Sequence, residues 1–236
     1  MPTTMEDSKI YVIIPAYNEE ESIAHVIREV PKHLVSEIVV CDNGSSDNTA
    51  QRANAAGATV VEQPLKGYGN ACLKGMEYIA EQPEEKRPAI VVFLDGDYSD
   101  YPEEMSLLLD PILKDEADMV IGSRATGTRE KGSMMPQQIF GNWLATTLIK
   151  ILYKTEFTDL GPFRAIRYDA LVKLNMQDRT FGWTVEMQVK AAKMGLRCRE
   201  VSVSYRQRIG ISKVSGTVKG TILAGYKILW TIIKLL

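Results

Sequence analysis

Short apolar runs recur through the first half of the chain and alternate with segments whose apolar positions repeat at helical spacing. Ile10 to Ile14, Ile38 to Cys41, Thr59 to Glu62, Ile90 to Leu94 and Met119 to Ile121 read as strands. Between them, Glu20 to Val30, Asp47 to Ala56, Tyr68 to Ala80 and Glu103 to Leu113 read as helices, the second capped by Ser45 or Ser46 and the fourth opened by Pro102. This alternation predicts an α/β fold with a mostly parallel sheet and helices on both faces. The uninterrupted apolar character of the runs agrees, because parallel strands are covered on both sides.

After Gly122 the pattern changes. Ala125 to Pro136 is polar, carries Gly127 and Gly132, and reads as a mobile loop. A helix from Gln138 to Tyr153 follows, then an irregular stretch from Asp159 to Arg164, short helices near Asp169 to Leu174 and Val185 to Met194, and a strand from Arg199 to Tyr205. This half is expected as a cap built onto the first. Residues 1–213 thus form one α/β domain, divided into halves 1–124 and 125–213. The appended segment 214–236 is amphipathic, with Trp230 and many aliphatic residues interrupted only by Lys219, Lys227 and Lys234. Its apolar face is broad for a surface helix. It either lies in a lipid headgroup region, with Trp and Lys as anchors, or packs on protein, the domain itself or a second copy in a homodimer.

Composition narrows the function classes. A chain of 236 residues with 45% hydrophobic content can bury a sizeable core, and its formal charge of -2 argues against a general nucleic-acid binder. Any phosphate site must be local. Cys41, Cys72 and Cys198 are widely spaced and make neither a disulfide framework nor a metal cluster, which suits a reducing cytosol. No leader-like start and no uncharged stretch of membrane-spanning length is present, so the expected location is cytoplasmic, at most peripheral to the cytoplasmic face of a membrane. His25 and His33 lack partner motifs and are given no role.

The chemistry concentrates at strand ends. Ile90 to Leu94 runs directly into Asp95-Gly96-Asp97, and side chains at the carboxyl end of such a strand face the ligand crevice. Two carboxylates there suit Mg²⁺ or Mn²⁺, held together with substrate phosphates. An EF-hand calcium loop is disfavoured, because the sixth position counted from Asp95 is Asp100 where its glycine would be, and a strand precedes it. Three further loops ring the same crevice: Pro15-Ala16-Tyr17-Asn18-Glu19-Glu20, Asp42-Asn43-Gly44-Ser45-Ser46-Asp47-Asn48-Thr49 and Lys66-Gly67-Tyr68-Gly69-Asn70-Ala71. For Asn18, Ser46, Asp47 and Thr49, capping is the expected role.

As a set, these motifs resemble those of the family-2 glycosyltransferases, over almost the entire chain. Within that family, Lys66 to Ala71, Gly122-Ser123-Arg124, Gly161 to Ala165 and Gly210-Ile211-Ser212-Lys213 look most like those of dolichyl-phosphate or polyprenyl-phosphate mannose and glucose synthases. The resemblance implies a Rossmann-like GT-A fold and a nucleotide diphosphate sugar donor. Pro15, Tyr17, Glu19 and Asp42 would line the base and ribose pocket. Asp95 and Asp97 would hold the metal, Asp97 directly, with Gly96 passing beside the donor. Arg124 would meet diphosphate or acceptor phosphate, and either Arg206 or Arg208, with Ser212 and Lys213, would form a second phosphate cluster. Asp159 would border the acceptor, and Glu186 would be an alternative general base, although the familiar Glu-Asp pair is broken by Met187. Asn43 replaces an aspartate common in the family. Trp183 lies near the position of that acceptor-side acid, and Phe163 is expected to pack in the core.

The implied reaction is inverting transfer of a hexose to a polyprenyl phosphate, an acceptor already anionic near neutral pH. A hydroxyl acceptor would instead require a carboxylate base. Transfer to a hydroxyl and a non-catalytic nucleotide-sugar binding module are the alternatives. A nucleotidyltransferase would carry a glycine-rich phosphate loop after its first strand, and Pro15 to Asn18 is not one. The choices between UDP and GDP, glucose and mannose, and the two metals stay open.

Overall fold

The computed structural model describes residues 9–210 and 218–236, so Ser212 and Lys213 lie outside the described residues. Strands β1 (Ile10–Ala16), β2 (Glu37–Asp42), β3 (Thr59–Glu62), β4 (Ile90–Phe93), β5 (Met119–Ser123), β6 (Arg164–Arg167) and β7 (Cys198–Ser202) form one sheet in the order β3-β2-β1-β4-β6-β5-β7. Every pairing is parallel except those of β6 with β4 and β5. Chain order reverses at β1 and β4, which places the ligand crevice beyond their carboxyl ends.

Alternate residues of each strand serve two cores. Ile13, Val39, Val91 and Ile121 face helices α3 (Tyr68–Glu81), α5 (Pro136–Tyr153), α6 (Tyr168–Leu174) and α7 (Trp183–Lys193). Ile14, Val40, Val92 and Val120 face α1 (Ile23–Glu29), α2 (Thr49–Ala55) and α4 (Met105–Leu113). This two-sided burial is the physical reason the apolar runs carry no alternation. Phe163 is buried in the second core, as expected from the sequence.

Three expectations are corrected. The second half is threaded into the sheet instead of capping it: β6, which starts at the last residue of the stretch expected as irregular and is not among the expected strands, inserts antiparallel between β4 and β5. Its four residues begin and end in arginine, which hides a strand from any hydrophobicity pattern. Arg164 is nevertheless wholly buried, donating to the carbonyls of Leu160, Gly161 and Thr184, and burial pulls its pKa down to about 10. Next, the loop expected to be mobile is tied along residues 203–207. Tyr205 N–H donates to Thr128 at 2.8 Å, and Glu130 N–H donates to Tyr205 at 2.9 Å. Gly127 lies so close to the Val203 carbonyl that a Cβ there would overlap it. Lastly, neither Ser45 nor Ser46 caps α2, whose N-cap is Asn48 without a side-chain bond.

Helix α8 (Val218–Lys234) packs against α5 and α7. Thr231 and Ile232 are buried, the Tyr153 hydroxyl donates to the Ile232 carbonyl at 2.5 Å, and Lys227 pairs with Asp178 at 2.9 Å. Its opposite face leaves Ile222, Tyr226, Trp230 and Ile233 exposed. One face of the segment therefore packs on the domain. No described helix is long and apolar enough to cross a membrane.

Candidate active site

The crevice is built from loops that hold one another. Asn18, in the left-handed backbone region at φ 53°, accepts Ser46 N–H at 2.8 Å and donates its own N–H to Ser45 Oγ at 2.9 Å. Glu19 N–H donates to Thr49 Oγ1 at 2.8 Å, and Glu20 N–H to Asp47 at 3.3 Å. Residues expected to cap helices therefore join the loops after β1 and β2, while Asp47 also accepts Thr49 N–H at 3.0 Å in a local turn. Lys66 donates to the Asn43 and Gly44 carbonyls at 3.0 and 2.5 Å and sits 3.7 Å above the Tyr17 ring.

Asp42, at the end of β2, accepts Ser45 N–H at 3.2 Å through one oxygen. Its other oxygen, Oδ1, is buried and has no hydrogen-bond partner among the described residues. A buried acceptor left unpaired is costly, so a ligand donor here would be favoured. Pro15 is buried at the end of β1, and Gly96 approaches its carbonyl, so that a Cβ on Gly96 would come within 3.3 Å of it. Ser22 Oγ bonds both the Gly96 carbonyl, at 2.8 Å, and the Glu19 carboxylate, at 3.1 Å.

Asp95 accepts the Tyr68 hydroxyl at 3.0 Å. Burial and the neighbouring Asp97 push its pKa up to about 6. Asp97 accepts Ser99 N–H at 2.9 Å and Ser99 Oγ at 2.5 Å through one oxygen, and its other oxygen lies 2.5 Å from Arg208 Nη2. Arg208 also lies 3.7 Å from Glu19. Asp100 is buried beside them with neither carboxylate oxygen partnered among the described residues, and burial together with Asp95 and Asp97 drives its pKa well above the usual range. Acid predominates over base here. A divalent cation would relieve that imbalance, and two carboxylates at a strand end are a donor set that suits one whose shell ligand oxygens would complete. No group of three His, Cys, Asp or Glu among the described residues could hold a metal alone.

Arg124 and Asp159, read separately from sequence, are one bidentate ion pair: Nε to Oδ2 at 2.8 Å and Nη2 to Oδ1 at 2.7 Å, with Arg124 N–H adding a third bond at 2.8 Å. Burial alone would raise Asp159, but the Arg124 guanidinium outweighs it and holds the carboxyl below its usual value. Arg206 lies over the rings of Tyr98 and Tyr101, pairs with Glu29 at 2.6 Å and donates to the Tyr98 and Asp100 carbonyls. It is Arg208, not Arg206, that reaches the aspartates. Glu186, in the first turn of α7, is buried, accepting Gln177 N–H at 3.0 Å and Asp178 N–H at 2.7 Å while pairing with Lys190 at 2.7 Å. Trp183 is buried edge-on to Phe93. Sequence reasoning assigned no role to Tyr68, Ser99 or Asp100. For the last two, the signal was available in the polar run that directly follows Asp97.

The crevice thus holds a carboxylate pair beyond β4, where chain order reverses, and a third acid, Asp42, at the end of β2 on the far side of β1, an arrangement that suits a nucleotide diphosphate ligand. The glycosyl transferase family 2 model matches residues 11–174, and the chain belongs to that family. It is 33% identical over 221 residues to an uncharacterized glycosyltransferase of Mycobacterium tuberculosis, covering 93% of this chain and 96% of the relative. The undecaprenyl-phosphate mannosyltransferase of Micrococcus luteus is 28% identical over 224 residues, 90% of each chain. Among solved structures, glucosyl-3-phosphoglycerate synthase of Mycobacterium tuberculosis, in complex with Mn²⁺, UDP-glucose and phosphoglyceric acid, superposes with a TM-score of 0.74. That match is at 22% identity and covers 100% of this chain and 84% of that one. The likeness shows the GT-A-like fold.

Proposed function

We propose that this glycosyltransferase moves a hexose, with inversion, from a nucleotide diphosphate sugar to a polyprenyl phosphate, using Mg²⁺ or Mn²⁺. One observation carries the acceptor class: the two carboxylates expected on the acceptor side are already engaged, Asp159 by Arg124 and Glu186 by two backbone N–H groups and Lys190. A hydroxyl acceptor needs a base within hydrogen-bond reach, whereas a phosphomonoester reaches neutral pH as an anion. The similarity to the undecaprenyl-phosphate mannosyltransferase supports the same acceptor. So does a cavity of about 360 Å³ beside Asp159, walled by Met134, Ile139, Trp143 and Phe157 with Arg129 at its lining, a combination suited to an anionic head on an apolar chain.

On the donor side, Asp42 Oδ1 accepts an N–H or hydroxyl of the nucleoside while Pro15, Tyr17 and Glu19 frame the pocket. Asp95 and Asp97 hold the cation, which when bound offsets charge developing on the leaving diphosphate. Arg208 serves that same diphosphate; Ser212 and Lys213, expected from the sequence to bind phosphate as well, lie outside the described residues. The exposed stripe of α8 rests on the membrane surface, which gives a cytoplasmic enzyme access to a lipid headgroup.

The test incubates purified protein with Mn²⁺, a panel of UDP- and GDP-sugars, and either polyprenyl phosphate or 3-phosphoglycerate, following nucleotide diphosphate release. Release that requires the lipid phosphate is expected. Release with phosphoglycerate and not with the lipid overturns the acceptor assignment.

A further inference from the structure

Three arginines surround the crevice, and they differ in how they are held. Arg124 is closed on Asp159 by two parallel bonds, and Arg206 is clamped between two tyrosine rings and paired with Glu29. Arg208 is held differently. Its Nη2 lies 2.5 Å from one oxygen of Asp97, Glu19 is a more distant neighbour at 3.7 Å, and its buried Nε has no hydrogen-bond partner among the described residues.

The oxygen it touches matters. Asp97 Oδ1 already accepts two bonds from Ser99, which leaves Oδ2 as the side open to a cation, and the Arg208 guanidinium occupies that side. A guanidinium and a divalent cation compete for one carboxylate oxygen, since both need its lone pairs and each repels the other. An unpaired buried N–H on the same group marks a side chain whose donors are not all satisfied where it stands.

Resting on the metal-dependent reading above, we propose that Arg208 is an exchangeable counter-ion. It neutralises Asp97 when no cation is bound, and leaves for the diphosphate of the donor when the cation and donor arrive together. The exchange couples the two ligands. Cation binding alone must displace Arg208 without compensation, whereas in the presence of a nucleotide diphosphate the displaced guanidinium gains phosphate oxygens, which it can grip with two parallel bonds. The protein therefore takes up cation weakly by itself and strongly with nucleotide.

The test measures Mn²⁺ binding by titration calorimetry, without and with UDP or GDP, for wild type, Arg208→Gln and Asp97→Asn. Without nucleotide, Arg208→Gln is expected to bind Mn²⁺ about threefold to tenfold more tightly than wild type, as befits removal of a partly exposed competing ion pair. In the same nucleotide-free condition Mn²⁺ raises the melting temperature of Arg208→Gln more than that of wild type, whereas with nucleotide both orders reverse. Equal or weaker Mn²⁺ binding by Arg208→Gln in the absence of nucleotide overturns the exchange, leaving Arg208 a fixed phosphate ligand. Arg208→Lys, which keeps the charge but loses the fork, should restore weak cation uptake without restoring nucleotide coupling; full coupling in that variant also overturns the proposal. Failure of wild type to bind Mn²⁺ under any condition, with no difference from Asp97→Asn, removes the metal reading itself and the exchange with it.

Discussion

Asp42 and Asn43 stand side by side at the end of β2 and have opposite fates. Asp42 leaves one buried oxygen without a hydrogen-bond partner among the described residues. Asn43 uses its whole amide, donating to the Gln63 and Leu65 carbonyls at 3.0 and 2.7 Å and accepting Gly67 N–H at 2.8 Å. An aspartate here has no N–H to donate and would set two carbonyls against a carboxylate, next to a second acid. The departure from the family pattern seen in the sequence thus has a structural cause: Asn43 ties the β2 loop to the start of α3. Asn43→Asp should cost about 1–3 kcal/mol, read as a lowered denaturant midpoint, and weaken nucleotide binding through Asp42. A midpoint equal to wild type would show that the amide clip is dispensable.

At the scale of elements, the segment 177–182 braces the active site from behind. Its amides at Gln177 and Asp178 are held by Glu186, its carbonyls at Arg179 and Thr180 accept the N–H groups of Asn70 and Gly69, and Lys227 of α8 pairs with Asp178. Gly69 has no room for a Cβ against the Asp178 carbonyl, and the same turn of α3 presents Tyr68 to Asp95. Glu186 therefore acts on this bracing segment. Glu186→Gln, which keeps shape but loses the ion pair, should lower the melting temperature while leaving kcat near wild type across pH. A collapse of kcat with normal stability would return Glu186 to the role of base.

On the scale of the whole molecule, the buried side of α8 makes deletion of the helix a poor probe of membrane contact, since it would uncover Ile232 and the faces of α5 and α7. The exposed stripe can be changed alone. Tyr226→Ser with Trp230→Ser should abolish flotation with vesicles of anionic lipid while leaving the melting temperature unaltered, because both side chains are solvent-facing. Undiminished flotation would reject the membrane assignment.

The sequence by itself determined the alternation of strands and helices, the loops at the strand ends and the carboxylate pair Asp95 and Asp97. Each depends on residues near in the chain, through periodicity or through position at the end of an apolar run. Tertiary structure decided what periodicity cannot reach. It inserted β6, whose arginine was made tolerable by distant carbonyls, and it closed Arg124 on an acid 35 residues away. It also fixed Arg206 to Glu29 across 177 residues, and so left Arg208 as the guanidinium at the aspartates. Charged side chains look alike in sequence. Their roles diverge only when burial makes an unpaired charge too costly and the fold decides which partner is within reach.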